Sequence, residues 1–236
     1  MRLAVWEDGI FGVNETSARR GEVAEAANVL ARLGLVTAYG HVSARAEDAM
    51  LITPAGDLAR VTASEVVRVP LTATPPLPAG VPAEAWVHLA VYRARPDAAA
   101  IARAQPVSAF AAAATTTSPK GFGGLVPLHG QAAWLGESIP VHDSATLLRS
   151  PELAERAASL LAWRGEALLL RGNGAITLGA APGLAVARMW VLATACEVYL
   201  AARGAPVTPL SADEIASWRA VGGELLPRLW QHLRRR

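Results

Sequence analysis

The sequence predicts an α/β fold: a three-layer α/β/α sandwich around a mostly antiparallel sheet, in a single domain spanning residues 1–236. Three observations predict it. Short apolar runs bounded by Gly, Pro and Asn alternate with Ala-rich segments of helical period. One pair of these runs is joined by a tight polar turn, which makes it a hairpin of antiparallel neighbours. Finally, no strong linker divides a chain of 236 residues that is 52% hydrophobic and 18% charged, which suffices for one sizeable core.

Residues 1–16 read as an irregular N-terminal arm. From Ser17 to Leu35 the apolar residues Val23, Ala26, Val29, Leu30 and Leu33 share a helical face, and Gly34 ends the helix. Runs around Val42 and at Met50–Ile52 flank the polar turn RAED and form the first hairpin. TASE, Thr62 to Glu65, has the spacing of a capping box. VVRVP is strand-like, and a Pro-rich loop follows it. AEAWVHLAVYRA is a helix stopped before Pro96, with Glu84 and His88 one turn apart on one face. A strand over 98–102 precedes Pro106, which opens a short Ala-rich helix. Residues 117–130 form a Gly/Pro-rich loop, and SIPVHD is a short strand. Ser150 and Pro151 suit the N-cap and first position of a helix. Runs 167–170 and 175–178 are two apolar strand segments broken by Gly-Asn-Gly. A long helix covers 182–203. Ser211 and Glu214 open a final helix, over 211–236.

Composition removes several classes of function. The net charge is +2 and the basic residues are spread along the chain, except for Arg228, His232 and Arg234–Arg236, which suit a helix C-terminus. Nucleic acid is therefore not an expected partner. The single cysteine, Cys196, lies on an apolar helical face and reads as a small buried thiol. The N-terminus has no long apolar segment of the secretory kind, and no uncharged apolar run reaches the roughly 18 residues of a membrane span. A cytoplasmic protein with no membrane partner is expected.

The functional question sits in AAAIARAQP, residues 98–106. Arg103 and Gln105 close an apolar strand and point to the same side, where neither side chain serves packing. The segments NVLARLGLVTAYGHVSAR, LITPAG, PAEAWVHLAVYRARPDAAAIARAQP, LHGQAAWLGESIPV and LLLRGNGAITLG, taken in order, resemble the class II aldolase/adducin-domain family from about residue 20 to residue 203. The resemblance implies the three-layer fold, a homotetramer with sites at subunit interfaces, and a divalent metal, commonly zinc. In the family that metal is held by a His-x-His-Pro strand end and a third His from an Asn-His-Gly turn.

This chain has Arg103, Gln105 and Asn173 at those three positions. A guanidinium has no lone pair to give, and amide oxygens are poor zinc ligands. The resemblance thus implies a metal site that has been replaced, and no cofactor is expected. Glu84 occupies the family's acid/base position. It either pairs structurally with Arg103 or works beside it, with Arg103 as a clamp for a substrate carboxylate or enolate and Gln105 and Asn173 lining the same site. His41, in YGHVSAR, stands where sugar-phosphate aldolases of the family carry Asn. It reads as a pocket acid/base or as a hydrogen-bonded structural residue.

Pro82 and Ala83 replace two hydroxyl residues that help bind phosphate in the family, so a non-phosphorylated acidic or carbonyl small molecule is expected. GHVSAR resembles the branch of decarboxylases of aromatic or unsaturated hydroxy-acids and of adducin-like proteins. His88 and His129 are family-typical and candidate substrate contacts; His88 also reads as a helix-packing residue. A rearranged metal site built from His41, Glu84, His88 and His129 is a further alternative. Lys120, the only lysine, lies in the Gly-rich loop, which reads as surface, lid or subunit contact. Three functions follow: a metal-independent lyase performing decarboxylation, retro-aldol cleavage or a proton-transfer rearrangement; a non-catalytic adducin-like binding protein; or a metal-dependent lyase with rearranged ligands.

Overall fold

The computed structural model describes residues 8–36, 38–116, 124–161 and 165–236. Helix α1 (Asp8–Arg32) begins well before the expected Ser17, so residues 8–16 are helical and not an arm. Its buried face, Val23, Ala26, Ala27, Val29 and Leu30, anchors the helix, and extension backward from a packed segment adds one backbone bond per residue fixed. Gly34, at φ +70°, turns the chain out of the helix.

Eight strands then build one sheet: β1 (His41–Ala46), β2 (Ala49–Ile52), β3 (Val67–Pro70), β4 (Ala100–Ala104), β5 (Gly124–Leu125), β6 (Ile139–His142), β7 (Ala167–Leu170) and β8 (Gly174–Gly179), in the order β3-β2-β1-β4-β8-β7-β6-β5. The β6–β7 pair is parallel and every other pair is antiparallel. The predicted hairpin forms as β1–β2, and the two strand segments around Gly-Asn-Gly pair as a second one, β7–β8. Strand β5 emerges inside the segment read as loop.

The remaining helices are α2 (Trp86–Ala94), α3 (Val107–Thr116), α4 (Pro151–Ala158), α5 (Pro182–Ala202), α6 (Ala212–Ala220) and α7 (Gly222–Leu233). Ser150 accepts from the Leu153 amide and Pro151 takes the first turn of α4, as expected. Ser211 and Glu214 cap α6 reciprocally. The single C-terminal helix expected over 211–236 is instead two, broken at Val221–Gly222–Gly223, where paired glycines weaken helical continuity.

The period of two along β4 divides the core. Ala100, Ala102 and Ala104 face α1, α3 and α5, while Ile101 faces α2 and α4. Three layers result. Helix α5 is long and apolar enough to cross a membrane, and its apolar residues are spent on packing against β4, β8, α1, α3 and α7. Cys196, on α5, is buried, and burial pushes its thiol up to about 12, as a structural cysteine requires. The loop 117–123, with Lys120, lies outside the described residues.

Candidate active site

Three backbone devices bring the predicted site residues to one end of the sheet. The first is strand register: His41 on β1 stands directly opposite Arg103 on β4, and Arg103 opposite Ile176 on β8. The second is the β7–β8 turn. Gly172 and Gly174 both have positive φ, and a Cβ on Gly174 would sit 2.1 Å from the Ala104 carbonyl oxygen, so only glycine lets the turn close against β4. Asn173, held between them, is thereby delivered to Arg103. The third is the turn of 3-10 helix Ala83–Ala85 that precedes α2 and carries Glu84.

Arg103 is 1% exposed, in the layer between the sheet and α2. Its Nη2 donates to Glu84 Oε2 at 3.0 Å, to the Asn173 backbone oxygen at 3.2 Å and to Asn173 Oδ1. Its Nε and Nη1 donate to no described residue. Glu84 Oε1 accepts from Asn173 Nδ2 at 2.7 Å and from the Leu148 amide at 3.3 Å. Gln105 Nε2 lies 3.5 Å from Asn173 Oδ1 at the edge of the same cluster. Burial lowers the pKa of Arg103 and Glu84 opposes that, while a guanidinium stays protonated throughout. The structural and functional readings of Glu84–Arg103 thus share one geometry: a buried ion pair that leaves part of the cation without a partner among the described residues.

His41 and His88 form a second group beside the first. His41 Nδ1 and His88 Nε2 are 2.6 Å apart, and His88 Nδ1 is 2.6 Å from Ser43 Oγ. The Ser43 hydroxyl also meets Tyr92 Oη at 2.8 Å. His88 is 0% exposed with both nitrogens occupied, so it can reach a substrate only through His41; the expectation that it contacts substrate is corrected accordingly. His129, which precedes the 3-10 helix Gly130–Leu135, is joined to this cluster by no hydrogen bond among the described residues.

Sequence reasoning missed Ser43, Tyr92 and the Leu148 amide. A signal for the first two exists. Glu84, His88 and Tyr92 recur every fourth residue along one helical stripe, and His41, Ser43 and Arg45 recur every second residue on one strand face. Arg45 fastens the two together: it donates to the carbonyls of Tyr92 and Arg95 at 2.6 and 3.0 Å and lies 4.8 Å from the Tyr92 ring, a cation at a helix C-terminus. The Leu148 amide comes from a distant loop and left no such trace. A separate cleft of about 350 Å³, between Asp97, Glu166, Arg188 and Gly222, lies toward the opposite end of β4 and β8 and includes none of the predicted site residues.

Both imidazoles titrate below the ordinary value of 6.5. Burial, with Arg103 nearby, holds His88 down to about 3, and burial, His88 and Arg103 hold His41 well below its usual range. Between these values and pH 6.5 the unfolded chain binds more protons than the folded one. Stability is therefore complete above pH 6.5 and falls as the pH drops, by about 1.4 kcal/mol per pH unit for each histidine. Urea unfolding should show a loss of roughly 2–4 kcal/mol from about pH 7 to about pH 5, and His88→Gln should remove about half of the slope. A flat profile over that range would mean that the pair is not buried neutral.

The model of the class II aldolase and adducin N-terminal domain matches residues 21–200. The chain belongs to that family. A 3,4-dihydroxyphthalate decarboxylase of Terrabacter sp. (strain DBF63) is 29% identical over 219 residues, covering 87% of this chain and 91% of that protein. The crystal structure of an L-fuculose-1-phosphate aldolase from Thermus thermophilus is 30% identical, with TM-score 0.68, covering 79% of this chain and 95% of that one. YgbL of Escherichia coli, described as a candidate aldolase, epimerase or decarboxylase, has TM-score 0.75 at 21% identity over 86% of this chain and 99% of that one, a likeness of fold.

The three positions that the resemblance makes metal ligands, 103, 105 and 173, converge, yet the side chains there do not fit a metal. Arg103 brings a positive charge to the centre, and the Asn173 amide oxygen is already taken by that guanidinium. No group of three or more His, Cys, Asp or Glu among the described residues could hold one either, so the rearranged set His41, Glu84, His88 and His129 does not assemble.

Proposed function

We propose that the protein is a lyase acting on a non-phosphorylated carboxylate or carbonyl compound, by decarboxylation, without a divalent metal at the family's position. The observation that carries this reading is Arg103, a fixed buried cation where the ligand positions meet, whose Nε and Nη1 donate to no described residue. Loss of carbon dioxide breaks a C–C bond and leaves its electron pair on the substrate, delocalised onto a neighbouring oxygen. Arg103 stabilises that oxyanion by charge-assisted hydrogen bonds, in surroundings where water does not compete. Glu84, its side chain 15% exposed, passes a proton from solvent to the carbon. Gln105 and Asn173 orient the same oxygens.

Retro-aldol cleavage and proton-transfer rearrangement make the same demand on the site. The decarboxylase among the relatives favours decarboxylation. Pro82 and Ala83 supply no hydroxyl for a phosphate, which disfavours sugar phosphates. A homo-oligomer, a tetramer by resemblance, belongs to this reading. Tyr39 and Val107, 69% and 81% exposed, flank the site two residues from His41 and Gln105 and are apolar enough to be covered by a second subunit.

A non-catalytic, adducin-like binding role has one observation in its favour: both oxygens of Glu84 are engaged, by Arg103, Asn173 and the Leu148 amide. Turnover decides between the two. Carbon dioxide release should be measured with 3,4-dihydroxyphthalate and a panel of aromatic and unsaturated hydroxy-acids. Release is expected from at least one acid, with a loss of about 100-fold or more in Arg103→Met, and no aldol cleavage of L-fuculose 1-phosphate is expected. Binding of such acids with no release from any would overturn the lyase reading in favour of the binding protein.

A further inference from the structure

Four polar side chains run in single file behind the site: Tyr92, Ser43, His88 and His41, each within 2.8 Å of the next and all buried. The protons of such a file are not free to sit anywhere. A neutral imidazole has one N–H and one lone pair, and a hydroxyl has one proton to give. The Tyr92 hydroxyl has Ser43 Oγ as its one hydrogen-bond partner among the described residues. Buried polar groups place their protons on an acceptor, so Tyr92 donates to Ser43.

The rest of the polarity follows. Ser43 must give its single proton to His88 Nδ1. His88 then carries its own proton on Nε2 and donates it to His41 Nδ1. His41 is left with its proton on Nε2. The opposite polarity would leave the Tyr92 O–H with nothing to donate to. His41 Nε2 has no partner among the described residues, and it is not one of the enclosed side-chain atoms without a partner, which there are His129 Nε2 and Arg188 Nε. It therefore keeps an opening, on a residue that stands opposite Arg103 in the strand register.

We propose that Tyr92, Ser43 and His88 form a positioning chain that fixes His41 as the tautomer protonated on Nε2, and that this N–H is a hydrogen-bond donor offered to an oxygen of the substrate. The assignment of a substrate to this end of the sheet rests on the function proposed above; the tautomer does not. Burial, His88 and Arg103 keep the imidazole neutral, so the site offers two donors of different kind: a permanent cation and a neutral N–H. A neutral imidazole donor stabilises charge as it develops on oxygen without adding a second cation next to Arg103.

Long-range proton–nitrogen correlation spectra of the full-length protein labelled with [15N]histidine, at neutral pH, test the chain without any substrate. His41 and His88 are assigned by comparison with His41→Gln and His88→Gln. The native protein should show both rings neutral, with Nε2 as the N–H nitrogen and Nδ1 as the lone-pair nitrogen. Tyr92→Phe removes the proton that orients the file, and it should draw the two nitrogen resonances of His41 toward each other as tautomers mix. A purely structural role for Tyr92 would lower stability and leave those resonances in place. Native His41 protonated on Nδ1, or cationic, or insensitive to Tyr92→Phe, would each overturn the proposal. Failure of all acids to release carbon dioxide, with the tautomer as stated, would count against the function alone.

Discussion

Glu84→Ala should destabilise the protein by about 3–5 kcal/mol, measured as the loss of unfolding free energy in urea. The change leaves the guanidinium of Arg103, 1% exposed, without its counter-charge, and it strands Asn173 Nδ2 and the Leu148 amide. An uncompensated buried cation costs far more than the pair contributes. Arg103→Met added to Glu84→Ala should therefore recover a good part of the loss, because a buried pair replaced by apolar groups of similar size is close to neutral. Arg103→Met alone should cost less than Glu84→Ala, since Glu84 is partly solvated and keeps two other donors. A Glu84→Ala effect under about 1 kcal/mol would show that the pair is solvated in the native protein, and the buried clamp would have to be abandoned.

The triple change Arg103→His, Gln105→His and Asn173→His should create zinc binding of about one ion per chain, read by elemental analysis of dialysed protein against the parent. Tetrahedral zinc at about 2.1 Å from each nitrogen needs those nitrogens roughly 3.4 Å apart. The present side chains already meet at that scale: Gln105 Nε2 is 3.5 Å from Asn173 Oδ1, and Arg103 Nη2 hydrogen-bonds the same oxygen. Removing Arg103 also removes the charge that repels a cation. Failure to gain zinc would mean that the converging ends belong to longer side chains and that the backbone positions no longer suit imidazoles. A full equivalent of zinc in the parent would sink the metal-free reading directly.

The sequence by itself determined the layers, the first hairpin, most helix starts and the polar strand end. Local signals carried these: period, turn glycines, capping pairs, and the placement of Arg103 and Gln105 on one side of a strand end. It also carried the family resemblance, and with it the departure at three ligand positions. It misplaced the start of α1 and missed the break before α7, because packing propagated one helix through weak residues while two adjacent glycines, mild individually, ended another.

Only the tertiary structure decided what the polar residues do for one another. Glu84 and Asn173 are 89 residues apart, and nothing local in either segment states that one amide will bridge a carboxylate and a guanidinium. Strand register, set across the sheet by core packing, placed His41 opposite Arg103. Helix α2, docked on β1 by Arg45, turned two separate polar periodicities, one of four residues and one of two, into a single hydrogen-bonded file. Such pairings depend on the distance and orientation between elements, which the periodicity within each element does not contain.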